Sequence, residues 1–199
     1  VATVSSAGLV TAIANGSATI TATSGSVNQT AAVTVSQAAA SVTLAPTSLS
    51  FASVDDTTTL VPTVKDANNN TIPSPTVTWA TSSSSIATVS SAGLVTAIAD
   101  GSATITATSG SVNQTAAVTV SQAAASVTLA PTSLSFASFS DTTTLVPTVK
   151  DANNNTIPSP TVTWATSSSS VATVSSAGLV TAIANGTATI TAISGSASA

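Results

Sequence analysis

The chain has 199 residues and only 4% of them are charged, against about 25% in an ordinary soluble domain. Glu, Arg, His, Cys, Tyr and Met are absent, and Lys65 and Lys150 stand against Asp55, Asp56, Asp66, Asp100, Asp141 and Asp151. Acid–base, nucleophilic and metal chemistry draw on the residues that are lacking, so the composition predicts no enzyme, no catalytic residue, no cofactor site and no metal site.

Two Lys and a net charge of −4 cannot neutralise a phosphate track, which excludes nucleic acid as a partner. No apolar run reaches the roughly 18 residues of a membrane span. Val1 is not an initiator, and the reading is of an excerpt or a processed product of a longer array. The absence of Cys leaves the compartment open and removes disulfides from the stability argument.

A self-comparison organises the rest. Residues 1–10 return at 86–95 and 171–180, a period of 85 residues, and residues 41–46 return at 126–131. Residues 41–85 and 126–170 differ only at Val54/Phe139 and Asp55/Ser140, and 1–40 differs from 86–125 only at Val1/Ile86 and Asn15/Asp100. The predicted organisation is the back half of one repeat at 1–40, a complete repeat at 41–125, and at 126–199 a repeat that stops before its final strand. Ala197, Ser198 and Ala199 take the register of Val112, Asn113 and Gln114. A half-domain cannot bury its apolar face alone, so neighbouring repeats, or the broken ends of another chain, are expected to complete it.

Within the complete repeat, period-two alternation predicts strands. In chain order the inward sets are Val42 and Leu44; Leu49 and Phe51; Leu60, Pro62 and Val64; Val77 and Trp79; Ala103, Ile105 and Ala107; and Ala116, Val118 and Val120. Turn signals fall at Ala45-Pro46, 66–75, 82–85, Ala92-Gly93, Asp100-Gly101 and Ser109-Gly110. Asp100-Gly101, lying between two apolar runs, reads as a tight hairpin turn. Pro62 has no N–H for a ladder, which places its strand at an edge or a bulge. About seven short strands per repeat fit an all-β chain of tandem immunoglobulin-like sandwiches, with Trp79 and Trp164 inside.

The stretches Val77-Thr-Trp79, Ser85-Ile-Ala-Thr-Val89, Gly93-Leu-Val-Thr-Ala97 and Gly101-Ser-Ala-Thr-Ile-Thr-Ala107, with Val42-Thr-Leu-Ala-Pro46 as opening strand, resemble the bacterial immunoglobulin-like domain, group 2. The resemblance covers essentially the whole chain as two and a fraction copies. It implies a β-sandwich spacer of bacterial surface proteins, including intimin-like and invasin-like adhesins, or a module of phage tail proteins, with no catalytic residues to transfer. The chain departs from the usual pattern in being nearly uncharged and in its long segment 66–75.

Four finer patterns are weighed beside it. Asp66, Asn68 and Asn70 match the 1, 3, 5 spacing of a calcium loop, but Thr71 stands where Gly is wanted and no acidic residue follows, so a plain Asn-rich turn is preferred. Asp55-Asp56 reads as a solvated turn, because the other copy has Ser140-Asp141. Thr104, Thr106 and Thr108, like Thr19, Thr21 and Thr23, space hydroxyls about 6.7 Å apart; strand propensity explains them better than ice binding, since Ile193 replaces the last. Asn15, Asn28, Asn69, Asn113, Asn154 and Asn185 open Asn-X-Ser/Thr triplets, with glycan modification as the minority reading.

The expected role is structural: a segment of an extracellular bacterial fibre, filament or adhesin stalk at the cell surface, polymerising by strand sharing between chains. Its partners are then copies of itself or adjacent repeats. The alternatives are an adhesin module for host glycan or protein and a phage tail decoration domain. Outward faces of Thr, Ser and Ala without charges predict that neighbouring repeats or sugar cover much of the surface.

Overall fold

The computed structural model describes residues 1–199, all of them in strands, turns and loops, with no helix. The back half-repeat forms β1 (Ala2–Val4), β2 (Val10–Ala12), β3 (Gly16–Ser24) and β4 (Val27–Val35). The complete repeat forms β5 (Ser41–Ala45), β6 (Ser48–Phe51), β7 (Thr57–Thr59), β8 (Val61–Lys65), β9 (Thr78–Thr81), β10 (Ala87–Val89), β11 (Leu94–Ala97), β12 (Gly101–Ser109) and β13 (Val112–Val120). The last repeat forms β14 (Ser126–Ala130), β15 (Thr142–Thr144), β16 (Val146–Lys150), β17 (Thr163–Thr166), β18 (Ala172–Val174), β19 (Leu179–Ala182), β20 (Ile190–Ser194) and β21 (Ala197–Ser198).

Chain contacts define two compact units. The first comprises Val1–Ala45, Val61–Thr78 and Ala107–Gln114. Its sheets are the hairpin of β3 and β4, in register from Gly16↔Val35 to Ser24↔Val27, the pair of β1 and β2, and the antiparallel pair of β5 and β8. Pro62 sits opposite Leu44 in that last pair, and β8 has no second partner, as an imino acid at an edge requires. Val42, Leu44 and Val64 are buried from the two facing strands.

The second unit comprises Pro46–Leu60, Trp79–Thr106 and Thr115–Ala199. In it β7, β11 and β10 form one sheet, and β6 runs parallel to β13 in the register Ala117↔Ser48 to Val120↔Phe51. Ala116, Val118 and Val120 are 1%, 1% and 2% exposed, and each buried Val contributes about 1.5–3 kcal/mol. In the last repeat β15, β19 and β18 form one sheet, while β17, β20 and β21 form another. Val127 of β14 and Val149 of β16 close against Ala192 of β20, with Trp164 packed alongside. These are the alternating inward and outward faces of a sandwich.

Three expectations change. The complete repeat has nine strands rather than about seven, because the short edge pieces at 48–51 and 57–59 join different sheets. Asp100-Gly101 is not a hairpin turn: β11 and β12 belong to different sheets, and the dipeptide carries the chain from one to the other. Gly101 is required there by its φ of 141° and by Ile86 Cδ1, which would lie 2.7 Å from an added Cβ. The true two-residue hairpin turn follows β12, at Gly110 with φ 59° and Ser111. Trp79 and Trp164 are half-buried rather than enclosed; each indole lies over a glycine, Gly93 or Gly178.

Candidate functional site: the junction between repeats

The chain concentrates its scarce charges where one repeat meets the next. Residues 122–125 form the link, and its backbone is held on both sides: Ala123 N donates to Ala52 O at 2.8 Å, and Ala125 N donates to Lys150 O at 2.8 Å. Gln122 N donates to the Asp100 carboxylate at 2.7 Å. An Ala-rich linker tied in this way is an extension of the sheets rather than a flexible tether.

The loop at 151–155 folds around Asp151. Its Oδ1 accepts the backbone N–H of Asn153 at 3.0 Å and of Asn155 at 2.9 Å. The turn needs a left-handed residue, supplied by Asn154 at φ 67°, a conformation Asn tolerates better than most side chains. Asp151 Oδ2 faces outward and accepts from Gln122 Nε2 at 2.9 Å and from the backbone N–H of Val54 at 2.9 Å. The loop also reaches back. Asn153 Nδ2 donates to Val54 O at 2.7 Å and to Asp56 at 3.0 Å. Asn155 Nδ2 donates to Val54 O at 3.1 Å and to Asp55 at 3.2 Å. Both backbone polar groups of Val54 are thus satisfied by the following repeat, with Asp151 left only 3% exposed.

Burial alone would push the Asp151 carboxyl up. The hydrogen bonds from Gln122, Asn155, Val54 and Asn153 outweigh it and hold the group below the ordinary carboxylate range.

In the first unit the same loop sequence surrounds Asp66. Its Oδ1 accepts from the backbone N–H of Asn68 and Asn70, and its Oδ2 accepts from Gln37 Nε2 at 3.0 Å. Asn70 Nδ2 turns back onto Asp66 at 3.3 Å, whereas its counterpart Asn155 reaches out to Val54 and Asp55. Asp66 is also held below the usual range, chiefly by Gln37 and the Asn70 N–H.

The calcium pattern therefore marks a different device. Both oxygens of Asp66 and of Asp151 are occupied by N–H donors, and the Asn amides point their Nδ2 groups, not their carbonyls, at the neighbouring loop. Asp56 is more than a solvated turn residue: it accepts the Ser53 N–H at 3.1 Å, as Asp141 accepts that of Ser138 at 3.0 Å, a capping role repeated in both copies. All six triplet Asn residues are exposed. Asn15 is engaged by the Gln37 N–H, and the carbonyls of Asn69 and Asn154 accept from Lys65 and Lys150. Thr19, Thr21, Thr23 and Thr104 are exposed, but Thr106 and Thr108 are half-buried, so the hydroxyl row is not a uniform face.

Comparison with known proteins accords with this architecture. The model of the bacterial Ig-like domain (group 2) matches residues 38–120 and 123–199, and a bacterial Ig-like domain model matches residues 1–37. No curated protein matches. Among solved structures, domains 4 and 5 of the S-layer protein SbsC are similar at 28% identity and a TM-score of 0.40, over 61% of this chain and 66% of that one. The Yersinia pseudotuberculosis adhesin InvE is similar at 19% identity and 0.42, over 78% of this chain and 55% of that one. Invasin, titled a bacterial integrin-binding protein, is similar at 17% and 0.43, over 92% of this chain and 43% of that one.

Proposed function

The chain belongs to the bacterial Ig-like domain family, group 2, and from that premise we propose that it is a structural repeat segment of an extracellular bacterial fibre, filament or adhesin stalk. Its work is mechanical. Each repeat, bounded at residues 41 and 126, contributes a fixed length, and the junction sets how it continues into the next. The partners are adjacent repeats and further copies of the chain, and the location is the cell surface.

The observation that carries this reading is the clasp of the 151–155 loop on Val54, Asp55, Asp56 and Gln122. A tether between independent binding modules needs no such contact. A load-bearing array does, because stability in a repeat protein is a sum of unit and nearest-neighbour terms. The scarcity of charge elsewhere makes the concentration here more telling.

Small-angle scattering on the chain and on an Asp151→Ala/Asn153→Ala variant tests the reading. The expected result is a broader distribution of maximum dimensions in the variant, with the repeats still folded. An unchanged profile, with unchanged exchange of the Val54 amide, refutes a junction that carries load.

A further inference from the structure

The last repeat has an open groove of about 890 Å³, lined among others by Leu129, Leu134, Phe136, Leu145, Val180 and Ile190. The complete repeat shows what seats on these positions. There Leu49 and Phe51 lie in β6, 8% and 7% exposed, because β13 runs beside them. The identical sequence at 133–136 forms no strand, and Leu134 and Phe136 are only half-buried. The opposite wall shows the same loss. Strand β12 has nine residues, but its counterpart β20 has five, and residues 186–189 lie outside any strand. Ala188 and Ile190 are half-buried where Ala103 and Ile105 are 6% and 0% exposed. The repeat's own β21 stays at the mouth, pairing only Ser198 with Ile193 and Ala197 with Ser194.

The occupant of that slot is also on the molecule. Residues 27–36 are identical to 112–121, the sequence that fills the slot in the complete repeat. In β13 the pattern of burial is deep at every second residue, whereas the same residues in β4 are exposed or half-exposed throughout. Ala31, Val33 and Val35 face no covering layer, and one edge of β4 is unpaired, since β3 is its only neighbour. An apolar slot between two unpaired edges takes an extended strand of alternating small apolar residues, and an uncovered strand of that pattern seeks such an edge.

We propose that the groove of the last repeat is a strand-acceptor site whose occupant is residues 30–36 of a second copy, inserted parallel to residues 133–136 and antiparallel to the segment leading into β20. The donor strand exchanges its single partner β3 for partners on both sides and buries Ala31, Val33 and Val35. This rests on the reading of the chain as a fibre segment and gives it a means of joining end to end.

Sedimentation over a range of concentrations tests it. The wild-type chain is expected to form a ladder of oligomers. Val33→Asp/Val35→Asp, which places charge on side chains already partly in solvent, removes the donor. A chain lengthened after Ala199 by the sequence of residues 115–122 fills its own acceptor. Each variant alone is expected to be monomeric, and their mixture to form a dimer and nothing larger. A peptide of residues 112–121 added to the wild type is expected to slow exchange of the Leu134, Ser135 and Phe136 amides by at least about tenfold. A wild type that stays monomeric, or oligomers indifferent to both variants, overturns the second copy as donor. A peptide that leaves those amides unprotected overturns the acceptor site itself. None of these results bears on the Asp151 clasp, so the two readings fail separately.

Discussion

Replacing Asp151 with Ala separates a contact between repeats from a loop-closing contact, because the chain carries its own control at Asp66. Asp151 accepts four hydrogen bonds. Two come from the exposed loop, where water can replace the carboxylate. The other two come from Val54 N and Gln122 Nε2, both on half-buried residues. With hydrogen bonds to a charged group at about 1.5–3 kcal/mol each and partial rehydration of the loop, Asp151→Ala is expected to cost about 2–4 kcal/mol. Asp66 also accepts four, but one is from its own loop's Asn70 side chain at 3.3 Å and none is from a Val54 counterpart. Asp66→Ala should therefore cost about 1–2 kcal/mol. Native-state hydrogen exchange reads the difference at one atom. In Asp151→Ala the Val54 amide is expected to exchange roughly thirtyfold faster, the factor that corresponds to about 2 kcal/mol. In Asp66→Ala it should be unchanged. Equal costs for the two substitutions, or a Val54 amide indifferent to Asp151, would show that the loop closes on itself and that its contact with the preceding repeat is incidental.

Gly93→Ala is expected to cost more than about 2 kcal/mol by chemical denaturation, since φ is 80° and an added Cβ would lie 2.6 Å from Leu60 O and 2.8 Å from the Trp79 ring. Gly110→Ala, at φ 59° with nothing nearer than 4.0 Å, should cost only about 1 kcal/mol, the intrinsic penalty of that backbone region. Val118→Ala should destabilise by about 2–3 kcal/mol through lost transfer energy and an uncollapsed cavity. Val33→Ala, at the same sequence position in the uncovered hairpin, should stay under about 1 kcal/mol. The pH dependence follows from the lowered carboxyls at Asp66 and Asp151. Their stabilisation is fully present above the unfolded value near 3.9 and is lost as pH falls through the lower folded values. Thermal midpoints should fall on acidification below about pH 4, and an Asp151→Asn variant should show a shallower fall.

Most of the fold was legible because period-two alternation survives in nearly every strand. The inward sets from Val42 to Val120 are buried as the pattern predicts, and Pro62 sits on an edge for the reason its missing N–H dictates. Asp100-Gly101 misled because a Gly at positive φ serves a hairpin and a crossing between sheets equally well. The choice is made by Ile86, which is distant from the turn until the sheets have formed.

The junction was illegible for a more general reason. Its central receptor is the backbone N–H and C=O of Val54, and a peptide group leaves no trace in the side-chain sequence. The exchange of Val54 for Phe139 and of Asp55 for Ser140 seemed to argue against a role for that loop in every repeat. The contacts to position 54 do not use its side chain at all, so the exchange leaves them untouched. What the sequence did carry was Asp with Asn at alternate positions, a pattern shared by cation loops and by turns that close on their own amides. The two differ in which way the Asn amides face. In this chain the Nδ2 groups face the neighbouring repeat, and the carboxylate of Asp151 faces N–H donors. The near absence of charge elsewhere then acquires a physical role: with so few ionic groups on the faces, the carboxylates that remain act where repeats must be joined.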